Sequence, residues 1–204
     1  MIGLENRTDC ANVFLVLADL YKHPTIDIWD EIKEQELLKK LEDSIQNHYN
    51  LTFSLEEVLP ESYEKFRELF MISIGSMQKQ AAIPVESLYK PWTQDETCTL
   101  PFARDKGYML GDSALHINFL LEKLKIDIPV ELQGMPDHLA ILLELLAYFI
   151  EHAPEQFTAE FMDDHFDWLE DFESKLSQVT EHTFYQSLTR VLIETVQAHR
   201  NNYQ

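Results

Sequence analysis

Gly134-Met135-Pro136-Asp137-His138, followed by the run at 139–150, decides how this chain is read. In that run Leu139, Ala140, Ile141, Leu142, Leu143, Leu145, Leu146, Ala147, Tyr148, Phe149 and Ile150 are interrupted only by Glu144. A helix apolar on nearly every face belongs inside a protein. Pro136 suits a first helical turn, where its missing N–H would be unpaired anyway. Asp137 then falls in the first turn, where a carboxylate complements the positive end of the helix dipole. The sequence therefore predicts one central helix with a Pro-Asp-His corner at its entrance. That corner reads either as a helix start with a satisfied core histidine or as a working site.

Outward from this helix the period stays helical. Ala11, Phe14, Leu15, Leu17, Ala18 and Tyr21 place a helix over 6–22, ended by Pro24, which disfavours helix at His23. Thr25 can cap a second segment whose inner face carries Ile28, Ile32, Leu37, Leu38, Leu41 and Ile45. Tyr63, Phe66, Leu69, Phe70 and Ile74 mark a helix over 61–74, with Gly75 as its stop. From 76 to 103 the pattern fails amid Pro84, Pro91 and Pro101, and a loop of that length in a domain is functional or mobile. Helix resumes over 104–124, and 126–134 is a connector carrying Pro129, suited to a hinge. His152-Ala153-Pro154 ends the central helix, and Phe157, Phe161, Phe166, Trp168, Leu169 and Phe172 predict two short helices. A last helix opens at Thr180 and Glu181 and turns Phe184, Tyr185, Leu188, Val191, Leu192 and Val196 inward. Alternating strand patterns are absent. The expected fold is all-α, a compact bundle of about ten helices. Its N-terminal part, 1–130, includes the loop 76–103, and a hinge before Pro136 joins it to a C-terminal part, 131–204.

The 204 residues fit one domain with a large enough core. The net charge of −20 argues against nucleic acid and anionic membrane surfaces as partners and suits a cationic one. Between 126 and 181 fourteen Asp or Glu face a single basic residue, Lys175. The same segment supplies Phe, Trp, Tyr and Leu, so it suits a ligand that is both basic and apolar: carboxylates take guanidinium groups, and apolar grooves take apolar segments. An ordinary solvated shell over a core is the other reading. Cys10 and Cys98 make no disulfide framework. No apolar run approaches the ~18 residues of a membrane span, and the start of the chain lacks a secretory signal pattern, so a cytoplasmic protein without membrane insertion is expected.

The five glycines form no phosphate-binding loop, and no GxSxG or HExxH motif occurs. His138, His152 and His165, with Asp163, Asp164 and Asp167, leave open a small all-helical metal-binding protein or enzyme.

Four motifs, in order, resemble the TorD/DmsD/NarJ family of redox-enzyme maturation chaperones. Arg7 and Leu17-Ala18-Asp19-Leu20-Tyr21-Lys22-His23-Pro24 resemble the opening helix. Pro84-Val85-Glu86-Ser87-Leu88-Tyr89 is similar to Pro-x-Glu-Ser-x-Tyr. Met135-Pro136-Asp137-His138-Leu139-Ala140 is similar to Glu-Pro-x-Asp-His, although here Pro136 directly precedes Asp137 and no acid stands before it. His165-Phe166-Asp167-Trp168 resembles His-Leu-x-Trp. The resemblance implies a chaperone without enzymatic activity or cofactor. Such proteins bind the twin-arginine signal peptide and apo form of a molybdenum-dependent oxidoreductase subunit in the cytoplasm. They assist cofactor insertion and delay export. A monomer is expected, with domain swapping through loop and hinge as the route to a dimer. Carried over, Asp137 and His138 become signal-peptide-binding residues, with Glu86, Ser87, Tyr89 and Trp168 beside them. On that footing Asp137 pairs with the arginines through an exposed edge, and Asp137→Lys weakens binding without unfolding the protein.

Overall fold

The central helix, α6, spans Leu139–His152, and ten of its side chains are buried. The structure, a computed structural model, describes residues 4–75 and 81–203. Among these, nine α-helices occur and no strand. They are α1 (Leu4–Leu20), α2 (Ile26–Glu34), α3 (Leu37–Tyr49), α4 (Tyr63–Ser73), α5 (Asp112–Leu124), α6, α7 (Glu155–His165), α8 (Leu169–Val179) and α9 (Phe184–Asn201). Single 3₁₀ turns form at Glu56–Val58, Glu86–Leu88 and Val130–Leu132. No described helix is long and apolar enough to cross a membrane.

Helix α1 packs along α6 more extensively than any other pair of elements meets. Its Phe14, Leu17 and Ala18, and Tyr21 just past its end, are fully buried. The two run antiparallel. At one end Arg7 donates from Nε to the Ile150 carbonyl at 2.5 Å and from Nη2 to the Ala153 carbonyl at 2.7 Å, closing the carbonyl end of α6 with a cation. At the other, Tyr21 and His138 line one cavity. The other seven helices each add buried side chains to the core, and a single cluster includes residues from both 1–130 and 131–204.

The structure departs from the sequence reading at several boundaries. The segment after Thr25 is two helices, not one, although Thr25 does cap the first by accepting the Ile28 N–H. At 100° per residue the stripe Ile28–Ile32 and the stripe Leu38–Leu41–Ile45 lie about 130° apart on one straight helix. Breaking at Gln35 and Glu36, the latter with φ 54°, turns both stripes to the core. Helix α5 starts at Asp112 rather than near Arg104. Gly111 explains part of this: the Asp112 N–H reaches the Trp92 carbonyl at 2.8 Å, and a Cβ on Gly111 would stand 2.4 Å from that oxygen. Helix α9 starts at Phe184 because Thr180 and His182 accept the N–H groups of His182 and Phe184 in a turn of their own.

The stretch expected as a long loop is irregular through 81–103, and its backbone is tied down. Thr93 bonds Ala103, Trp92 bonds Asp105, and Gly107 bonds Leu88. The part at 76–80 lies outside the described residues. The expected stop at Gly75 holds, with its N–H on the Phe70 carbonyl just past the end of α4.

Candidate functional site

The loop 84–90 is laced to the entrance of α6. Val85 and His138 pair as an isolated antiparallel bridge. The Leu139 N–H donates to the Pro84 carbonyl at 2.8 Å, and the Glu86 N–H to the Asp137 carbonyl at 3.1 Å. The Asp137 carboxylate accepts the Ser87 N–H at 2.7 Å. Two segments fifty residues apart in sequence are thereby locked together.

This lacing corrects the reading of Pro136-Asp137-His138 as the first turn. The helix starts at Leu139, and His138 is its cap, accepting the Ala140 N–H on Nδ1 at 3.2 Å. Residues 135–138 form a β-turn closed by the His138 N–H on the Met135 carbonyl, with Pro136 at its second position, where proline's fixed φ fits. Asp137 serves the loop, not the helix dipole. It presents no exposed edge, since its relative exposure is 0 %. Burial pushes its carboxyl pKa up, against the pull of the Ser87 N–H. Its second oxygen has no hydrogen-bond partner among the described residues, and neither does the buried Ser87 hydroxyl.

Glu86 is equally buried and anchors a chain of polar groups. Its Oε2 meets His165 Nδ1 at 2.8 Å, and His165 Nε2 meets His116 Nδ1 at 2.9 Å, the ring centres 5.0 Å apart and the planes 29° from parallel. Its Oε1 lies 3.2 Å from the Lys90 ammonium. Lys90 also reaches Asp167 Oδ1 at 2.8 Å and the Asp164 carbonyl at 2.7 Å. Burial raises the Glu86 pKa, and His165 and Lys90 oppose the rise. Burial likewise lowers the pKa of His116, with His165 adding to the effect, and takes His138 down to about 4, so that His138 is neutral at physiological pH. With Nδ1 accepting a hydrogen bond, the ring proton of His138 sits on Nε2.

Trp168 is buried, donates its indole N–H to the His165 carbonyl at 2.8 Å, and stacks on half-buried Tyr89 at 5.2 Å. All six residues singled out from the sequence, Glu86, Ser87, Tyr89, Asp137, His138 and Trp168, thus belong to this one locality. Two openings flank it. A cleft of about 250 Å³ is lined by Glu86, Lys90, Asp112, His116, Asp164 and His165, among others. A more apolar cavity of about 170 Å³ is lined by Tyr21, Phe70, Ile83, Leu132, Met135 and His138. Ile83 and Glu86, one on each opening, are three residues apart, so the span is at most about 10 Å.

Sequence reasoning missed Lys90 and His116 as members of this site. Lys90 sits next to the Pro-x-Glu-Ser-x-Tyr motif and could have been noticed as a cation four residues from Glu86. Nothing in the sequence pointed to His116. The three histidines weighed as metal ligands have separate engagements. His138 caps α6, His165 lies between Glu86 and His116, and His152 stands against Tyr148 and Glu151 at the far end of α6. Among the described residues no three His, Cys, Asp or Glu are placed to share a metal ion.

In this helical protein a loop and a core helix are thus joined around buried acids, beside an acid-lined cleft and a more apolar cavity. The family model described as "Nitrate reductase delta subunit" matches residues 31–203, and the chain belongs to that family, the NarJ/TorD-like proteins. A Haemophilus influenzae protein named "Probable Tat proofreading chaperone DmsD" is 27% identical over 158 residues, covering 75% of this chain and 68% of that one. No solved structure matches the chain. The protein is a chaperone of redox-enzyme maturation, and its family consists of chaperones, not enzymes. The motif from Arg7 to Pro24 precedes the matched span; the other three lie within it.

Proposed function

We propose that this chaperone binds, in the cytoplasm, the twin-arginine signal peptide and the apo form of a molybdenum-dependent oxidoreductase subunit, assists cofactor insertion and delays export. The observation that carries this reading is the pair of openings along 83–90: one with three carboxylates beside Lys90 and two histidines, the other mainly apolar, with Lys22, His23, Glu131 and His138 among its lining. A twin-arginine signal joins two guanidinium groups to an apolar stretch, and each half finds its counterpart there. The overall charge of −20 favours approach of such a peptide. The name of the Haemophilus influenzae relative, with its Tat proofreading role, supports the same reading.

In this reading the six residues divide their work. Asp137 and Ser87 hold the loop, and Trp168 supports Tyr89. Glu86 faces the cationic half of the ligand. His138, neutral and with its proton on Nε2, offers a donor to a peptide carbonyl in the apolar cavity. The connector 126–134 acts as the hinge between the parts 1–130 and 131–204, and the working form is a monomer.

Isothermal titration with a synthetic peptide carrying Arg-Arg and an apolar stretch tests the proposal. Saturable binding is expected, weakened when both arginines become lysine. No binding by a protein with intact helicity would refute it. Affinity capture from the native host then identifies the client, and a molybdoenzyme subunit is the expected catch.

A further inference from the structure

We propose that the cleft between residues 86–94, the first turn of α5 and the end of α7 is a guanidinium receptor that Lys90 occupies in the free protein. This deepens the twin-arginine reading and rests on it for the identity of the ligand: one arginine of the pair.

The argument starts from Glu86. Its side chain has no exposed surface, it lines the cleft, and Oε2 is already committed to His165. Oε1 is different. No donor is aligned with it among the described residues, and what stands nearby is the Lys90 ammonium at 3.2 Å, close enough for an ion pair but off the line of a hydrogen bond. A carboxylate oxygen buried in this way is costly unless a donor meets it. The better-aligned contacts of Lys90 go elsewhere, to Asp167 Oδ1 and the Asp164 carbonyl. Lys90 therefore neutralises Glu86 without satisfying it.

The surroundings suit a different cation. Glu86, Asp112 and Asp164 line the cleft against the single ammonium of Lys90, leaving carboxylate in excess. The Asp112 Oδ2 accepts from Thr93 and Gln94, so Asp112 is held in place. The rings of His116 and His165, joined edge to edge and 29° from coplanar, supply a flat face. A guanidinium is planar, stacks on such rings, sheds water more readily than an ammonium and donates through several N–H groups in one plane. It can meet Oε1 in line and still reach a second acceptor. Lys90 has an exposed route out. Its side chain keeps 16% exposure, and Asp167, more than half exposed, can follow it into solvent.

The test uses the full chain and the variant Lys90→Met, which keeps an apolar stem of similar bulk and removes the resident cation. If Lys90 fills the receptor most of the time, its removal tightens binding of the Arg-Arg peptide about tenfold, the inverse of the fraction of time the site stands open. The lysine-pair peptide gains less. A second variant, Asp164→Asn at an exposed position, weakens the Arg-Arg peptide severalfold and leaves the fold intact. In parallel, Nα-acetyl-arginine amide is titrated into Lys90→Met while the ring resonances of His116 and His165 are followed by NMR; both shift, and Nα-acetyl-lysine amide moves them less. Unchanged or weaker peptide binding by Lys90→Met, with still histidine resonances, overturns the receptor and leaves the signal-peptide reading standing. Histidine shifts with arginine amide in a protein that ignores the peptide support the receptor and remove the signal-peptide reading instead.

Discussion

Asp137 is the buried carboxylate that ties the loop 84–90 to the entrance of α6. Its carboxyl is fully buried and accepts the Ser87 N–H at 2.7 Å. In Asp137→Ala that N–H is left buried without a partner, which costs about 1–3 kcal/mol. For a chain of this size each kcal/mol moves the melting temperature by roughly 2–4 °C. A loss of about 2 kcal/mol therefore lowers it by about 4–8 °C. Asp137→Asn keeps an acceptor oxygen for Ser87 and loses under about 1 kcal/mol at neutral pH. Asp137→Lys buries a long cation with no counter-charge placed for it and unfolds the protein or displaces the loop, contrary to the expectation of an exposed edge.

The pH dependence carries the sign. The folded-state pKa of Asp137 is raised above its ordinary value by burial. The folded state then holds the proton more tightly than the unfolded state, so this group's contribution is fully present below the unfolded pKa and is lost as pH rises through the folded one. Asparagine does not titrate. Asp137→Asn accordingly gains on the parent protein as pH rises above the ordinary aspartate range. Thermal melts by circular dichroism between pH 4 and 7 read the difference, and hydrogen exchange at the Ser87 amide reads the bond itself. The reasoning is refuted if the alanine variant melts with the parent and its Ser87 amide is equally protected. It is also refuted if asparagine loses as much as alanine at neutral pH, because the negative charge would then be what matters.

Two further outcomes follow from the same geometry. His138 has its folded pKa depressed to about 4, so the stability it contributes is complete above its ordinary value near 6.5 and is lost as pH falls. At pH 5 that loss is about 2 kcal/mol, and His138→Asn, which can still cap α6, flattens the fall in melting temperature between pH 7 and 5; an unchanged slope would show that the histidine does not titrate in this way. Arg7→Ala removes both guanidinium bonds from the end of α6 and costs about 2 kcal/mol, seen as a drop of roughly 4–8 °C in the melt, whereas Arg7→Lys recovers only part of it. Equal melting of all three proteins would show that the bonds contribute nothing.

Much of the fold was legible because it depends on periodicity. The apolar run at 139–150 is what a helix surrounded by others requires, and ten of its side chains are buried. The helix at 63–73, the two short helices between Pro154 and Thr180, and the cap at Thr25 follow from local rules of spacing and hydrogen bonding. The breaks at Glu36 and Gly111 were harder to see. The first depends on which stripe meets the core, and the second on how closely the backbone of Trp92 approaches. The motifs pointed to candidate residues without describing their surroundings. They named Asp137, His138 and Glu86, but not which of these face solvent or a cleft.

The sequence by itself determined an all-α chain organised on one central helix, and an acidic composition. These properties depend on neighbours within a few positions or on sums over the chain. Only the tertiary structure decided what Pro136-Asp137-His138 does. Asp137 is held by a loop fifty residues earlier, His138 takes the cap, and of the two buried carboxylates with an unpartnered oxygen only Glu86 lines the cleft, beside Lys90. The reason is that burial, hydrogen-bond direction and which carboxylate borders a cleft are set by segments far apart in sequence.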